Sequence, residues 1–244
     1  MTLAVRVIPV LLRRGGSLVK GIKFQSWRSV GHPLQAARIH AAREVDELIY
    51  LDVGATPKGH GPDLKAVERL TESAFIPVTV GGGVRNVDDV RDLLSAGADK
   101  VAICTNTENV ISEAAERFGS QAIVAGIDVS GGQVFINCGK RPISKCPASW
   151  AKKIEMMGAG EILLQSIDRD GMMNGYDLDL IHITTEELNI PLIASCGAGT
   201  YQHMLEAVRA GASGVAAGAI FQFTDSTPYG AKQFLHDAGV SVRL

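Results

Sequence analysis

Two glycine-rich segments are the strongest candidates for ligand binding in this chain of 244 residues. The first covers residues 77–84 (PVTVGGGV), and the second covers residues 191–199 (PLIASCGAG). In each, a short apolar run enters a glycine turn and continues into a helical pattern. Backbone N–H groups at such a turn bind anions, above all phosphate. With Pro77 aligned on Pro191, Gly83 falls on Gly197, which predicts two phosphate cradles in an internally repeated fold.

Several carboxylates follow apolar runs and could move protons. Asp128 ends such a run, and since an unpaired buried carboxylate is costly, we expect it to have a functional role. Asp52 has two possible roles, as an acid or base or as a group that orients Lys20. Lys20 itself either neutralises a phosphate or is a surface lysine. Asp168 and Asp170 lie in the segment DRDG, which could equally form a turn stabilised by aspartate side chains.

Along the chain, short apolar runs alternate with helical patterns, and the strands and helices that they predict would hold these residues in place. The apolar runs cover residues 7–12, 48–53, 78–80, 100–104, 122–128, 162–167, 192–195 and 214–217. Runs this apolar indicate strands buried on both faces, as in a parallel sheet. Helical spacing separates them, for example at Val87, Val90 and Leu93. The sequence therefore predicts an α/β fold, a single (β/α)8 TIM barrel with an internal half-barrel repeat, spanning residues 1–244 as one domain.

Charged residues precede four of the apolar runs, at the opposite end from the glycine turns. They are Arg6, Glu47, Lys100 and Glu161. Function in this fold lies at the C-terminal ends of the strands, so these four belong to the floor of the barrel. Two cations and two anions on one rim can pair in a ring. Four separate surface charges are the alternative, and the spacing allows both.

Composition limits the partners and cofactors. A formal net charge of −2 argues against a nucleic-acid-binding surface. No apolar run reaches membrane-spanning length and no signal peptide is recognisable, so we expect a cytoplasmic protein with no membrane partner. The four cysteines form no CxxC pair or metal-ligand spacing, so no metal or other cofactor is expected. Cys104 and Cys196 are interpreted as small apolar fillers at strand ends, and Trp27 and Trp150 as packing residues.

Blocks along the whole chain resemble the cyclase subunit of imidazole glycerol phosphate synthase, the barrel half of a glutamine amidotransferase in histidine biosynthesis. They include residues 6–9 (RVIP), 46–52 (DELIYLD), 79–83 (TVGGG), 97–101 (GADKV), 158–164 (GAGEILL) and 166–171 (SIDRDG). The resemblance implies a heterodimer with a separate class I glutaminase subunit, which docks on the floor and releases ammonia into the barrel. The ammonia gate and partner interface would then comprise Arg6, Glu47, Asp99, Lys100 and Glu161.

The resemblance also implies a phosphorylated or nucleotide-linked small-molecule substrate at the mouth. Asp128 matches one of the family's two catalytic aspartates. The implied substrate-binding and phosphate-binding positions are Lys20, Asp52, Gly82, Gly83, Cys104, Thr105, Gln165, Asp170, Gly171, Gly197, Ala198 and Ala219.

The family's other catalytic aspartate is replaced here by Leu12. A positioned acid or base typically contributes about 10²–10⁴-fold in rate, so this change should cripple imidazole ring closure unless Asp52 or Asp168 substitutes. Cys104, Gln165, Cys196 and Ala219 also depart from the family pattern at the mouth, whereas the floor residues and glycine turns are intact.

Leu12 is similar to the residue found in glycosyl-amidation relatives of the cyclase in surface-polysaccharide and nonulosonic-acid pathways. The resemblance then implies that glutamine-derived ammonia converts a sugar acetamido group to an acetamidino group. The histidine-pathway cyclase itself is the first alternative. A non-catalytic scaffold that activates the glutaminase is the second.

Overall fold

The computed structural model describes residues 4–43, 45–104 and 108–244, and Thr105 lies outside these ranges. The strands are β1 (Arg6–Arg14), β2 (Ser17–Ile22), β3 (Gln25–Gly31), β4 (Leu48–Asp52), β5 (Val78–Gly81), β6 (Lys100–Cys104), β7 (Ile123–Ser130), β8 (Gln133–Ile136), β9 (Arg141–Ile143), β10 (Glu161–Ser166), β11 (Leu192–Ser195) and β12 (Gly214–Ala217). The helices are α1 (Pro33–Ala42), α2 (Leu64–Ala74), α3 (Val87–Ser95), α4 (Glu108–Phe118), α5 (Pro147–Met156), α6 (Leu178–Thr185), α7 (Tyr201–Arg209), α8 (Ala219–Phe223) and α9 (Pro228–Asp237).

Parallel pairing closes the sheet into a barrel. The strands follow one another in the order β1, β4, β5, β6, β7, β10, β11 and β12, and β12 pairs with β1 to complete the circle. Each barrel strand coincides with one of the apolar runs, so the predicted (β/α)8 barrel is confirmed. β7 extends beyond its predicted end to Ser130 because its last residues pair with β8 in a hairpin.

Strand alternation divides the apolar residues between two cores. Ile8 and Val10 on β1 point into the barrel, where they pack in a cluster with Ile49, Val124 and residues of the other strands. The intervening residues point outward and pack against the helices, as Leu11 does. A residue's position in this alternation therefore decides whether its side chain reaches the barrel interior or the helix layer.

Equivalent contacts in the two halves reflect the predicted half-barrel repeat. Thr71 on α2 donates from Oγ1 to the carbonyl of Ala96 at 3.0 Å, and Thr185 on α6 donates to the carbonyl of Ala210 at 3.3 Å. The separation in sequence between Thr71 and Thr185 equals that between Ala96 and Ala210. Each threonine thus fixes the turn before a barrel strand.

Two antiparallel hairpins, β2–β3 and β8–β9, interrupt the regular alternation and were not predicted. They follow β1 and β7 at the mouth of the barrel. Their strands are short, and β3 is largely exposed, so they lack the apolar run that identified the barrel strands. Among the helices of the described ranges, none has the length and apolar character needed to cross a membrane.

Candidate active site at the mouth of the barrel

Three adjoining cavities form one crevice across the mouth. The central cavity, of about 70 Å³, shares Leu12 and Gln165 with a smaller cavity beside Gly197. On its other side it shares Gly82 and Cys104 with a cavity of about 310 Å³. A single ligand could therefore contact both glycine turns and the groups between them.

Asp128 points into the central cavity from β7 and is only 6% exposed. Gln165 on the neighbouring strand β10 donates from Nε2 to Oδ1 of Asp128 at 2.6 Å. Burial raises the pKa of Asp128 to about 6, the negative charge of Asp170 adds to this effect, and the Gln165 hydrogen bond opposes it. A carboxyl group with this pKa can both release and accept a proton near neutral pH.

The first glycine turn borders the 310 Å³ cavity. Gly82 and Gly83 have φ angles of 105° and 79°, in the region that favours glycine. A Cβ on Gly82 would collide with the carbonyl oxygen of Asp52. Thr56 and Arg85 line the same cavity, and sequence analysis did not identify either. The turn has the backbone form expected of an anion cradle.

The second glycine turn borders the smaller cavity, which is lined by Gly171, Gly197, Ala198 and Ala219. Lys20 lies on β2 and donates from Nζ to the carbonyl of Val10 at 2.9 Å. Burial lowers the pKa of Lys20 to about 8, against the opposing effect of Asp170. Lys20 is thus a buried cation at the cavity, so its interpretation as a surface lysine is wrong.

Asp52 does not orient Lys20. It accepts a hydrogen bond from Arg13 at 2.8 Å and another from the backbone N–H of Gly54 at 2.9 Å. The cause is strand alternation, because Leu51 packs with the interior cluster and Asp52 is therefore directed away from it. Asp52 lines one wall of the central cavity while its carboxylate is held by Arg13.

The two aspartates of the DRDG segment accept hydrogen bonds from two hairpins at the mouth. Asp168 accepts hydrogen bonds from Ser130 Oγ at 2.8 Å and from the backbone N–H of Gly131 at 2.9 Å, and the latter is the main reason that its pKa is lowered. Asp170 accepts from the backbone N–H of Phe24 at 3.1 Å and lines the cavity with Lys20. The Asp168 carboxylate thus stabilises the turn between β7 and β8 rather than its own segment, and its lowered pKa makes it a poor replacement for a missing general acid.

Cysteines and aromatic residues complete the mouth, and of these only Cys104 was predicted from the sequence as a binding position. Cys104 and Cys196 line cavities at strand ends, and burial raises the pKa of both thiols, which keeps them uncharged as expected of small apolar residues. Cys138, on the β8–β9 hairpin, also lines the central cavity, and burial raises its pKa to about 11. Trp27, from the β2–β3 hairpin, lines the same cavity, whereas Trp150 is a buried packing residue on α5.

The four charged residues at the floor form the closed ring. Arg6 pairs with Glu47 at 2.6 Å and with Glu161 at 3.0 Å. Lys100 pairs with the same two carboxylates at 3.2 Å and 3.0 Å. Asp99 lies outside the ring, where it is exposed and accepts a hydrogen bond from the backbone N–H of Val78 at 2.8 Å. The alternative of four separate surface charges is therefore wrong.

A closed parallel barrel with a buried carboxyl group and two glycine turns at its mouth has the architecture of a (β/α)8-barrel enzyme. The family model described as histidine biosynthesis protein matches residues 6–227, and the chain belongs to that family. The family implies an enzyme of the isomerase or cyclase kind found in histidine biosynthesis.

Proposed function

We propose that this barrel is the synthase subunit of a glutamine-dependent amidotransferase that turns a sugar acetamido group into an acetamidino group. The observation that carries the proposal is the pair of residues at the mouth. Among the described carboxylates that line the mouth, Asp128 is the one in the fully buried class, and Leu12, which lines two of the cavities, adds no acid at the position of the second catalytic aspartate of the related cyclases. Amidine formation needs one such group, whereas imidazole ring closure in the related cyclases needs two.

In the proposed reaction, ammonia attacks the acetamido carbon, a C–N bond forms, and the C–O bond then breaks. Nitrogen replaces oxygen with no change in oxidation state, so no redox cofactor is needed. Because an amide oxygen leaves poorly, a nucleoside triphosphate used by a separate enzyme is proposed as the activating co-reactant, and the oxygen leaves on the transferred phosphoryl or nucleotidyl group. Asp128 accepts the proton released from the attacking nitrogen.

The acceptor would be bound by its anionic groups and by its ring. Gly82 and Gly83 on one side and Gly197 with Lys20 on the other offer N–H groups and a cation to phosphates. Between them, Phe24 and Trp27 give the central cavity an apolar wall suited to the face of a sugar or a base. This arrangement supports a phosphorylated or nucleotide-linked sugar.

Ammonia would enter through the floor. Inside the ring of Arg6, Glu47, Lys100 and Glu161 the barrel is lined by apolar side chains, so neutral ammonia is favoured over ammonium there. Next to Asp128, Gly126 also points inward, and a Cβ built on it would meet only Ile103 O, at 3.8 Å. Opening of the ring is the step that this route requires.

A class I glutaminase is proposed to dock on the floor, around the ring. The helices end at this face, and two of them expose apolar side chains there: Phe75 after α2 is 91% exposed and Met156 on α5 is 80% exposed. Phe75→Glu should prevent co-purification of a co-expressed glutaminase subunit, whereas Ile183→Glu on the side of the barrel should not. Equal recovery with both variants would remove this part of the proposal.

The cyclase of histidine biosynthesis is the second candidate, favoured by the family and by the preserved ring and glycine turns. One experiment distinguishes the two functions: the purified chain is incubated with ¹⁵N-ammonium and each acceptor in turn, and the labelled product is identified. We expect ¹⁵N in an acetamidino sugar when an activated, nucleotide-linked acetamido sugar is supplied. Formation of imidazole glycerol phosphate from the ribulosyl aminoimidazole-carboxamide nucleotide would overturn the proposal.

A non-catalytic scaffold is the remaining alternative. Under that role Asp128→Asn should alter nothing but assembly with the glutaminase. Under the proposed function the variant assembles normally and forms no product.

A further inference from the structure

A crevice of about 310 Å³ lies outside the barrel, between the start of α1 and the first turns of α2. It shares no lining residue with the three cavities of the mouth. Its walls carry His32, Lys65 and Arg69, and its base is formed by Arg13 and Tyr50. Four of these five side chains are cationic or can become so.

The acidic groups near the crevice are already neutralised. Asp63 accepts a hydrogen bond from Arg13 at 2.5 Å and another from the backbone N–H of Ala66 at 3.2 Å. Asp52 holds the other side of the Arg13 guanidinium. Arg69 also attracts the Asp63 carboxylate and helps to lower its pKa, but within the described ranges no hydrogen bond or ion pair holds the side chain of Lys65 or Arg69. The crevice therefore keeps an excess of positive charge.

Tyr50 provides an independent indication of a ligand. Its side chain is directed outward from β4 and is only 3% exposed, yet in the described part of the chain its hydroxyl group has no hydrogen-bond partner. The hydroxyl oxygen is not one of the fully buried polar atoms that lack a partner, so it reaches the crevice and can donate to a ligand bound there. Burial raises the pKa of Tyr50 to about 12, so the group remains a donor at neutral pH.

We propose that this crevice is a second anion site, which binds the phosphoryl group of a small metabolite through Tyr50, Lys65 and Arg69. Two helices begin at the crevice, and their N-terminal ends add a favourable field for negative charge. A volume of about 310 Å³ leaves room for a small organic group beside the phosphate.

The test uses inorganic phosphate and the full chain, followed by NMR of backbone amides. We expect saturable shifts at Leu34 and Ala66, which line the crevice, separate from any shifts at Gly83 and Gly197 in the mouth. Tyr50→Phe keeps the shape of the side chain and should weaken binding at the crevice by about fivefold, the effect of one hydrogen bond. Arg69→Gln should weaken it at least as much.

Arg91→Gln, on the exposed face of α3, is the matched control and should leave the titration unchanged. Thermal unfolding gives a second measurement, in which phosphate should raise the Tm of the wild type more than that of Tyr50→Phe. The proposal is overturned if Leu34 and Ala66 show no saturable shift. It is also overturned if Tyr50→Phe and the wild type titrate alike.

Discussion

Gln165 and Asp128 lie side by side on neighbouring strands, with Nε2 of Gln165 2.6 Å from Oδ1 of Asp128. Burial raises the pKa of Asp128 to about 6, and this hydrogen bond limits the rise. The pair therefore sets the pH range in which the carboxyl group at the mouth exchanges its proton.

Asp128→Asn should abolish product formation and also stabilise the protein. Loss of the acid–base group should lower the rate by about 10²–10⁴-fold. The pKa of Asp128 rises on folding from 3.8 to about 6, so the stability linked to its protonation is complete below about pH 4 and is lost as the pH rises through 6. Since asparagine carries no charge, the variant's free energy of unfolding at pH 7.5 should exceed that of the wild type by about 1–3 kcal/mol.

Urea denaturation at pH 4 and at pH 7.5 checks this prediction, because the difference should be largest at the higher pH. Asp88→Asn serves as the control, since that side chain is 67% exposed. Normal product formation by Asp128→Asn would rule out the catalytic role.

Gln165→Met should move the pH dependence of the reaction. The variant removes the hydrogen bond that lowers the pKa of Asp128, so the acid limb of the pH–rate profile should shift to higher pH. Gln202→Met on the exposed side of α7 should leave the profile in place. An unshifted profile for Gln165→Met would show that the limb belongs to another group.

Gly218→Ala should weaken phosphate binding in the cavity beside the second glycine turn without unfolding the barrel. A Cβ at Gly218 would collide with Nζ of Lys20, the flexible end of that side chain, and would lie 3.1 Å from the carbonyl oxygen of Val10, so the lysine would have to move and the backbone would have to shift only slightly. Phosphate affinity measured at the Gly197 amide should fall by about tenfold or more, the loss expected for a charge-assisted contact. Gly214→Ala is the control, because its Cβ would make ordinary contacts with Ile193 at 3.4 Å and Ile8 at 3.5 Å.

Phosphate binding beside Lys20 should also depend on pH. Burial lowers the pKa of this lysine to about 8, so its charge is present below that value and is lost as the pH rises through it. Affinity at the Gly197 amide should therefore fall between about pH 7 and pH 9, whereas an unperturbed lysine would hold its charge to about pH 10. A constant affinity across this range would exclude Lys20 as the phosphate's cation.

Arg6→Met should lower glutamine-dependent turnover more than turnover with free ammonia. Without Arg6, Glu47 and Glu161 share Lys100, and the free energy of unfolding should fall by about 3 kcal/mol, because an almost fully buried carboxylate loses a partner. With a glutaminase present, glutamine-dependent turnover should fall more than turnover with ammonium salt, which reaches the mouth from solution. Equal losses would argue against entry through the ring. Arg117→Gln, an exposed variant on α4, is the control.

Much of the fold followed from local patterns. Each barrel strand lies on an apolar run, because strands buried on both faces must be apolar along their length. The glycine turns were also predictable, since Gly82, Gly83 and Gly197 adopt backbone angles that other residues rarely adopt. The β2–β3 and β8–β9 hairpins carried no such signal, so their cavity-lining residues Phe24, Trp27 and Cys138 were not identified as part of the site.

By itself, the sequence determined which residues stand at the two ends of the barrel, because the order of strand, turn and helix is a local property. The tertiary structure decided which of them meet. The side chains of Asp128 and Gln165 reach each other because both face inward on paired strands, whereas Asp52 faces outward and pairs with Arg13. The ring at the floor likewise exists only because barrel closure brings together β1, β4, β6 and β10, which are far apart in the chain. The direction of each side chain on its strand and the strand pairing of the closed barrel together decide which charged groups come into contact. Neither can be determined from the local sequence.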